Sequence, residues 1–127
     1  TMKLSDHFSL RELTKSQTAI RNGIDNTPDK ESIRNLKEVC AKILEPVRKH
    51  YDRPISPSSG YRCPALNTLL GSSDRSQHIT GQAVDFEVTG IPNIDVARWI
   101  INELAYDQLI SPRHGFMDIT SVPIVSA

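Results

Sequence analysis

Apolar and polar positions recur along this chain with two different periods, which separate helices from strands. In residues 83–88, AVDFEV, the two kinds of side chain alternate, so that Val84 and Phe86 lie on one face and Asp85 and Glu87 on the other. This alternation predicts a half-buried strand. Earlier in the chain the apolar residues recur at helical spacing and predict one buried stripe, formed by Ile33, Leu36, Cys40, Ile43, Leu44 and Val47.

Short polar signals mark where the first helices begin and end. Ser9 and Glu12 have the spacing of a capping box, which predicts a helix from about Leu10 to Gly23. A second helix opens at TPDKE, residues 27–31, with its threonine as the predicted cap and the proline in its first turn. Because a proline inside a helix removes a backbone donor, Pro46 is predicted to bend or end this helix.

The second half of the chain predicts a small sheet with helices between its strands. The prolines of RPISPSSGYR suit an edge strand, and CPALNTLLG is typical of a short helix. Two further strands are predicted at YDQLIS and FMDITSV, joined by the turn-forming PRHG. The order of elements predicts an α+β fold in which a small antiparallel sheet packs against helices. Asn93 is predicted to cap the helix before these strands, with an apolar face of Val96, Ala97, Ile100, Ile101 and Leu104.

Length and composition limit the possible classes of protein. A chain of 127 residues with 38% hydrophobic residues is the size of one domain, so residues 1–127 are predicted to form a single unit. Fifteen basic and fifteen acidic residues are mixed without a charged block, which argues against nucleic acid as a partner. We expect no membrane span and no signal peptide. Cys40 and Cys63 are expected to be reduced core thiols, with a disulfide as the alternative.

The stretch RSQHITGQAVDFEV, residues 75–88, carries the candidate chemistry. His78 and Asp85 stand seven positions apart on either side of Gly81, so a loop histidine could meet a strand carboxylate across the turn. Imidazole nitrogen and carboxylate oxygen are both suitable ligands for zinc. The alternative is a solvated histidine beside a strand aspartate that faces water.

The same stretch resembles a known family. SQHITGQAVD matches the Ser-x-His-(x)6-Asp zinc signature of the D-Ala-D-Ala carboxypeptidase family of metallopeptidases, which includes peptidoglycan-cleaving phage endolysins and shares its core fold with the hedgehog signalling domain. The segments FSLREL, GIDNTP, ILEPVR and SSGYRCPALN also resemble the peptidase branch, so the resemblance runs from about residue 4 to residue 110. It implies a hedgehog/D-Ala-D-Ala peptidase-like fold and a Zn²⁺ cofactor.

The resemblance also implies roles for individual residues. His78 and Asp85 would be two zinc ligands, and Gln77 would line the substrate cleft. Arg62, in SGYR, matches the arginine that holds the substrate carboxylate or carbonyl, a task for which its planar set of donors is suited. A surface salt bridge is the alternative role for Arg62.

The chain departs from the family at the last strand. The closest match to the strand that supplies the third ligand is GFMDIT, which places Asp118 where the family has histidine. The site therefore either persists as a His-Asp-Asp set or has been lost. The usual acidic residue after the DQLI-like strand is also missing, and His114 is the nearby candidate for the acid/base group or for a substitute ligand. Its alternative is a turn histidine that faces solvent.

These observations predict a zinc-dependent peptidase that acts on peptidoglycan stem peptides or cross-links. Without a signal peptide, it would reach the bacterial cell wall by holin-type release or as part of a phage particle. The alternative from another class is a catalytically impaired peptidase-like module that binds the wall or builds the virion. A hedgehog-like signalling fragment is disfavoured, because the surroundings of that family are missing.

Overall fold

The structure, a computed structural model, describes residues 2–72 and 76–104 with their side chains and the backbone of residues 107–113 and 116–122. None of the described helices has the length and apolar character that a bilayer-spanning helix needs. The helices are α1 (Leu10–Thr14), α2 (Gln17–Arg21), α3 (Lys30–Val39), α4 (Glu45–Tyr51), α5 (Pro64–Leu69) and α6 (Asn93–Glu103), with a π-helical segment at Cys40–Leu44 and a 3₁₀ turn at Gln77–Thr80. The strands are β1 (Ile55–Ser59), β2 (Ala83–Val88), β3 (Asp107–Arg113) and β4 (Phe116–Val122).

The strands form one four-stranded sheet in the order β1-β2-β4-β3, and all neighbouring pairs are antiparallel. β1 lies at an edge, as its prolines predicted, because an edge strand needs backbone donors on one side only. In β2 the residues Val84, Phe86 and Val88 are buried while Glu87 is exposed, which confirms the alternation read from the sequence. The predicted α+β fold with a small antiparallel sheet is therefore confirmed.

The first predicted helix is two short helices instead of one. The capping box of Ser9 and Glu12 is present at the start of α1, as predicted. Lys15 then adopts an extended backbone (φ −65°, ψ 139°) that ends α1. The hydroxyl of Ser16 accepts a hydrogen bond from the Ala19 N–H at 3.2 Å and caps α2. A second capping signal inside the predicted span therefore divides it.

The long second helix begins later than its sequence signal indicated. Asp29 is its N-cap and accepts a hydrogen bond from the Ser32 N–H at 2.8 Å. The predicted cap, Thr27, instead donates its hydroxyl hydrogen to Asp25 at 2.6 Å. Thr27 and Asp29 were both possible caps. Asp29 lies three residues before Ser32, whose backbone N–H has no acceptor within the first turn of the helix, so Asp29 is the cap.

Pro46 does not end this helix, because a π-helical segment precedes it. The Glu45 N–H bonds to the Cys40 carbonyl, five residues back, and helical structure continues to Tyr51. Proline lacks an N–H and its ring collides with the carbonyl four residues earlier in an ordinary α-helix. The wider π turn accommodates the ring, so Pro46 falls in the first turn of α4 instead of breaking the helix.

The core lies between the long helix, the sheet and α6. Both cysteines are buried, free thiols within it. Burial, with a smaller contribution from the charge of Glu45, raises the pKa of the Cys40 thiol to about 12, so that thiol stays protonated and packs as an apolar group. The largest fully buried side chains are Phe86, Leu13, Leu36, Ile43, Leu44, Leu66, Ile100, Val39, Val47 and Val84.

The predicted cap and one predicted core residue of α6 are wrong. Pro92 occupies the N-cap position and Asn93 is the first helical residue. Val96, Ala97 and Ile100 are buried as predicted. Ile101 is 63% exposed, because the buried stripe of this short helix is narrower than its apolar composition indicated.

The N-terminal segment is attached to α4 through a single carboxylate. The Ser5 hydroxyl donates to Glu45 Oε2 at 2.6 Å, and the His7 N–H donates to the same oxygen at 2.8 Å. His7 Nδ1 lies 2.6 Å from Glu45 Oε1. Burial raises the pKa of Glu45, but the hydrogen bonds of Ser5 and His7 together outweigh burial, so that the pKa lies below its ordinary value.

We expect Glu45→Gln to lower the free energy of unfolding at pH 7 by roughly 1–2 kcal/mol, because a charged acceptor of several hydrogen bonds is lost. A carboxylate whose pKa is lowered by folding stabilises the protein above its unfolded-state pKa, near 4.5. The difference between the two proteins should therefore shrink as the pH falls through the lower pKa of the folded state. Urea unfolding, followed by the fluorescence of Trp99, measures this difference in the free energy of unfolding. Glu38→Gln, which removes an exposed i,i+4 partner of Lys42, is the control, and it should change the free energy of unfolding little. If the effect of Glu45→Gln does not depend on pH, the stabilisation does not come from the charge of Glu45.

Candidate metal centre

The 3₁₀ turn and β2 bring the two predicted zinc ligands together. His78 Nε2 lies 3.6 Å from Asp85 Oδ1, which is too far for a hydrogen bond. Two ligands about 2.0–2.1 Å from one tetrahedral zinc ion are separated by about 3.3 Å. The spacing of this pair therefore fits a shared metal ion. Its burial contradicts the solvated alternative, since His78 is only 4% exposed.

The other ring nitrogen of His78 is held by the backbone. Nδ1 lies 2.7 Å from the Gly60 carbonyl oxygen, and because a carbonyl only accepts, Nδ1 carries the hydrogen. In neutral imidazole the nitrogen without a hydrogen is then Nε2, the ring atom that lies 3.6 Å from Asp85 Oδ1. A backbone carbonyl that fixes the tautomer in this way is typical of metal-binding histidines.

Two local signals place His78 at this point. The Ser76 hydroxyl accepts a hydrogen bond from the His78 N–H at 3.3 Å and begins the 3₁₀ turn. Gly81 ends it with a left-handed backbone (φ +76°). A Cβ at Gly81 would lie 2.5 Å from the Ser32 carbonyl oxygen of α3. Glycine is therefore needed here both for the backbone angle and for the close packing of the turn against α3.

An irregularity in the sheet lies directly opposite Asp85. Pro57 pairs with Phe86 and Ser59 with Asp85, so Ser58 is an extra residue in β1. The Ser58 hydroxyl donates to the Asp85 carbonyl oxygen at 3.1 Å and ties the bulge to β2. A bulge of this kind bends the edge strand and redirects the residues after it, here towards the histidine.

Arg62 reaches the same carboxylate from the segment that follows β1. Its Nη2 lies 3.7 Å from Asp85 Oδ2, and its side chain is only 11% exposed. Nε donates to Ser59 Oγ at 3.1 Å, while Nη1 donates to Ser72 Oγ at 3.1 Å and to Asn67 Oδ1 at 3.5 Å. The guanidinium group is therefore held by several partners beside the His-Asp pair. A surface salt bridge does not describe this arrangement.

A cavity of about 510 Å³ adjoins Arg62. Lys15 lines it as a second cation, beside the hydroxyls of Ser16 and Ser59. Leu66 and Leu70 add an apolar side. Among the described residues that line the cavity there is no carboxylate, although the whole chain has equal numbers of acidic and basic residues. The cavity is therefore suited to a ligand that carries negative charge.

The other predicted site residues are described less completely. Gln77 precedes His78 in the 3₁₀ turn, and its buried Oε1 has no hydrogen-bond partner in the described part of the chain. Asp118 is the direct register partner of Asp85 in the β2–β4 pair, which places both residues on the same face of the sheet. For β4 the structure gives the backbone only, and His114 lies outside the described residues. The described side chains contain no group of three or more His, Cys, Asp or Glu residues placed to hold a metal ion.

The structure thus combines an α+β fold with a buried His-Asp pair beside a cavity that two cations line. Residues 6–120 match the sequence model of the family described as peptidase M15. The chain therefore belongs to the peptidase M15 family, the metallopeptidases related to D-Ala-D-Ala carboxypeptidases that typically depend on zinc, as its resemblance predicted. A comparison with curated proteins finds no significant match.

Several residues around the pair were not singled out from the sequence. Gly60, Ser59 and Asn67 all fall within SSGYRCPALN, the segment that resembles the family, so a signal for them was present. The role of Gly60 was not visible there, because its carbonyl contacts a residue 18 positions away, whereas Ser59 and Asn67 contact Arg62 only three and five positions away. Lys15 had no signal, since an exposed lysine between two short helices is ordinary in any sequence.

Proposed function

We propose that this member of the peptidase M15 family is a zinc-dependent peptidase that hydrolyses D-Ala-containing bonds in peptidoglycan stem peptides or cross-links. The proposed place of action is the bacterial cell wall, reached by holin-type release or in a phage particle. The observation that carries the proposal is the spacing of His78 and Asp85 in a buried pair whose histidine tautomer is set by a backbone carbonyl.

The residues present fit the metal that the family implies. His78 and Asp85 would hold zinc, and Asp118 would complete the set from the neighbouring strand. Zinc bound there would supply Lewis-acid activation of a water molecule and of the scissile carbonyl. The side chains would do the remaining work: His114 would move the proton from the water to the leaving amine, and Gln77 would line the substrate cleft next to His78.

The charge of the cavity supports a substrate with a carboxylate close to the scissile bond. Arg62 and Lys15 line one cavity whose described lining contains no carboxylate, and Asp85, 3.7 Å from the Arg62 guanidinium, is not among the lining residues. Stem peptides end in D-amino acids with a free carboxylate, which two cations would hold and orient relative to the His-Asp pair.

The primary test combines zinc content with hydrolysis. We expect purified protein to bind one zinc ion per chain and, when zinc-loaded, to release new amino groups from peptidoglycan fragments. Zinc binding without hydrolysis would favour the wall-binding or virion module. Neither zinc binding nor hydrolysis would overturn the proposed function.

The charge argument gives a second test with a matched pair of peptides. One ends in D-Ala-D-Ala with a free carboxylate, and the other is amidated at that position. We expect Lys15→Gln to raise the KM of the free acid about three- to fivefold and to leave that of the amide unchanged, because a partly exposed charge pair contributes about 1 kcal/mol.

Lys37→Gln removes an exposed cation from α3, away from the cavity lining, and serves as the control. It should change neither KM. An equal effect of Lys15→Gln on the acid and the amide would show that Lys15 does not bind the carboxylate.

A further inference from the structure

The side chain of Asn26 joins two separate segments of the backbone. Its Nδ2 donates to the Thr14 carbonyl oxygen at 2.8 Å and to the Tyr61 carbonyl oxygen at 3.1 Å. Its Oδ1 accepts a hydrogen bond from the Cys63 N–H at 2.7 Å. Both amide hydrogens and the amide oxygen are therefore used, and all three partners are backbone groups.

Two of these partners belong to the peptide groups on either side of Arg62. The Tyr61 carbonyl is part of the peptide that enters Arg62, and the Cys63 N–H is part of the peptide that leaves it. The Arg62 N–H donates to the His78 carbonyl oxygen at 3.0 Å. The backbone of Arg62 is thus held by Asn26 on one side and by the histidine turn on the other.

The third partner belongs to the segment that carries Lys15. Thr14 is the last residue of α1, and Lys15 and Ser16, which follow it, line the cavity together with Arg62. The Tyr61 N–H also donates to the Leu13 carbonyl oxygen at 2.8 Å, so the two segments are in direct contact. Asn26 therefore connects the segment that carries Lys15 to the segment that carries Arg62.

We propose that Asn26 is a positioning residue that fixes the orientation of Arg62 and its distance from Lys15, and so controls substrate binding in the cavity. This inference rests on the proposed peptidase function for its kinetic consequence. Asn26 has no described hydrogen bond to the His-Asp pair and does not itself line the cavity; it contacts the lining only through the backbone carbonyl of Tyr61, so its effect is transmitted through the backbone. A substrate held by two cations requires both at a defined separation, and a small misplacement weakens binding.

The test compares Asn26→Ala and Asn26→Asp with Val47→Ala, which shortens a fully buried side chain of α4 outside the cavity lining. We expect Asn26→Ala to raise the KM of the free-acid D-Ala-D-Ala peptide roughly tenfold, with kcat changed less than about twofold. Zinc affinity should stay within about twofold of the wild type. Asn26→Asp keeps the acceptor for the Cys63 N–H but places a second carboxylate oxygen against the Thr14 and Tyr61 carbonyl oxygens, so its KM should rise at least as much as that of the alanine variant, and the assay continues with whichever variant folds.

A second readout does not depend on hydrolysis. The Nε–H of Arg62, held by Ser59, should give a slowly exchanging NMR resonance that persists in Val47→Ala and is lost or broadened in the Asn26 variants. If the wild type hydrolyses no peptide, the proposed function fails while this resonance still decides the role of Asn26. An unchanged Arg62 resonance, or equal KM changes in the Asn26 and Val47 variants, would show that Asn26 is merely structural.

Discussion

Zinc affinity should fall by about a hundredfold or more in His78→Ala, and peptide hydrolysis should be lost with it. Substitutions of residues that only orient a ligand already cost about 10–100-fold in metal affinity, so the removal of a ligand should cost at least as much. The fold should persist, because the core stripe and the sheet do not depend on this side chain. Competition with a fluorescent zinc chelator measures the affinity, and circular dichroism measures the fold.

His50→Ala is the matched control for this experiment. His50 is an exposed histidine of α4 that stacks on Trp99 at a centroid distance of 4.4 Å, so its loss removes an imidazole without touching the His-Asp pair. The zinc affinity of His50→Ala should equal that of the wild type. Wild-type affinity in His78→Ala would exclude His78 as a ligand, and an unfolded variant would assign it a structural role.

A histidine in place of Asp118, which lies across the sheet from Asp85, should increase the affinity of the site for zinc. Asp118 is the register partner of Asp85, and Asp118→His restores the His-Asp-His set of the family. We expect zinc affinity to rise roughly tenfold, because imidazole is a strong ligand for this metal. In Asp118→Ala the zinc affinity should fall. Isothermal titration with Zn²⁺ gives both values.

Ser121→His tests whether any imidazole in β4 has this effect, since Ser121 pairs with Gln108 of β3 and lies outside the register with β2. Ser121→His should leave zinc affinity unchanged.

Tighter zinc binding in Asp118→His without hydrolysis would indicate that the proton-transfer group is missing. Loss of hydrolysis with retained zinc in His114→Ala would assign that role to His114. If neither Asp118 variant alters zinc affinity, Asp118 is not the third ligand.

Helix boundaries show which features a local sequence pattern can predict. The Ser9–Glu12 capping box was predicted correctly, because both of its hydrogen bonds join residues three apart. The break at Lys15 was missed, since Ser16 is an equally good cap that only a comparison of the two helices in place would select. Pro46 was predicted to bend or end the helix, and it does not end it, because the π-helical segment before it accommodates the proline ring.

The sequence alone was sufficient for the α+β fold, the alternation of β2, the edge position of β1 and the proximity of His78 to Asp85. These features follow from side-chain periodicity and from spacings of a few residues, which chain geometry translates directly into structure. The tertiary structure decided how the site is supported. Gly60 and His78 are 18 residues apart, and Asn26 binds partners up to 37 residues away. Contacts of this range depend on how the elements pack, and packing distances are not encoded in any local pattern.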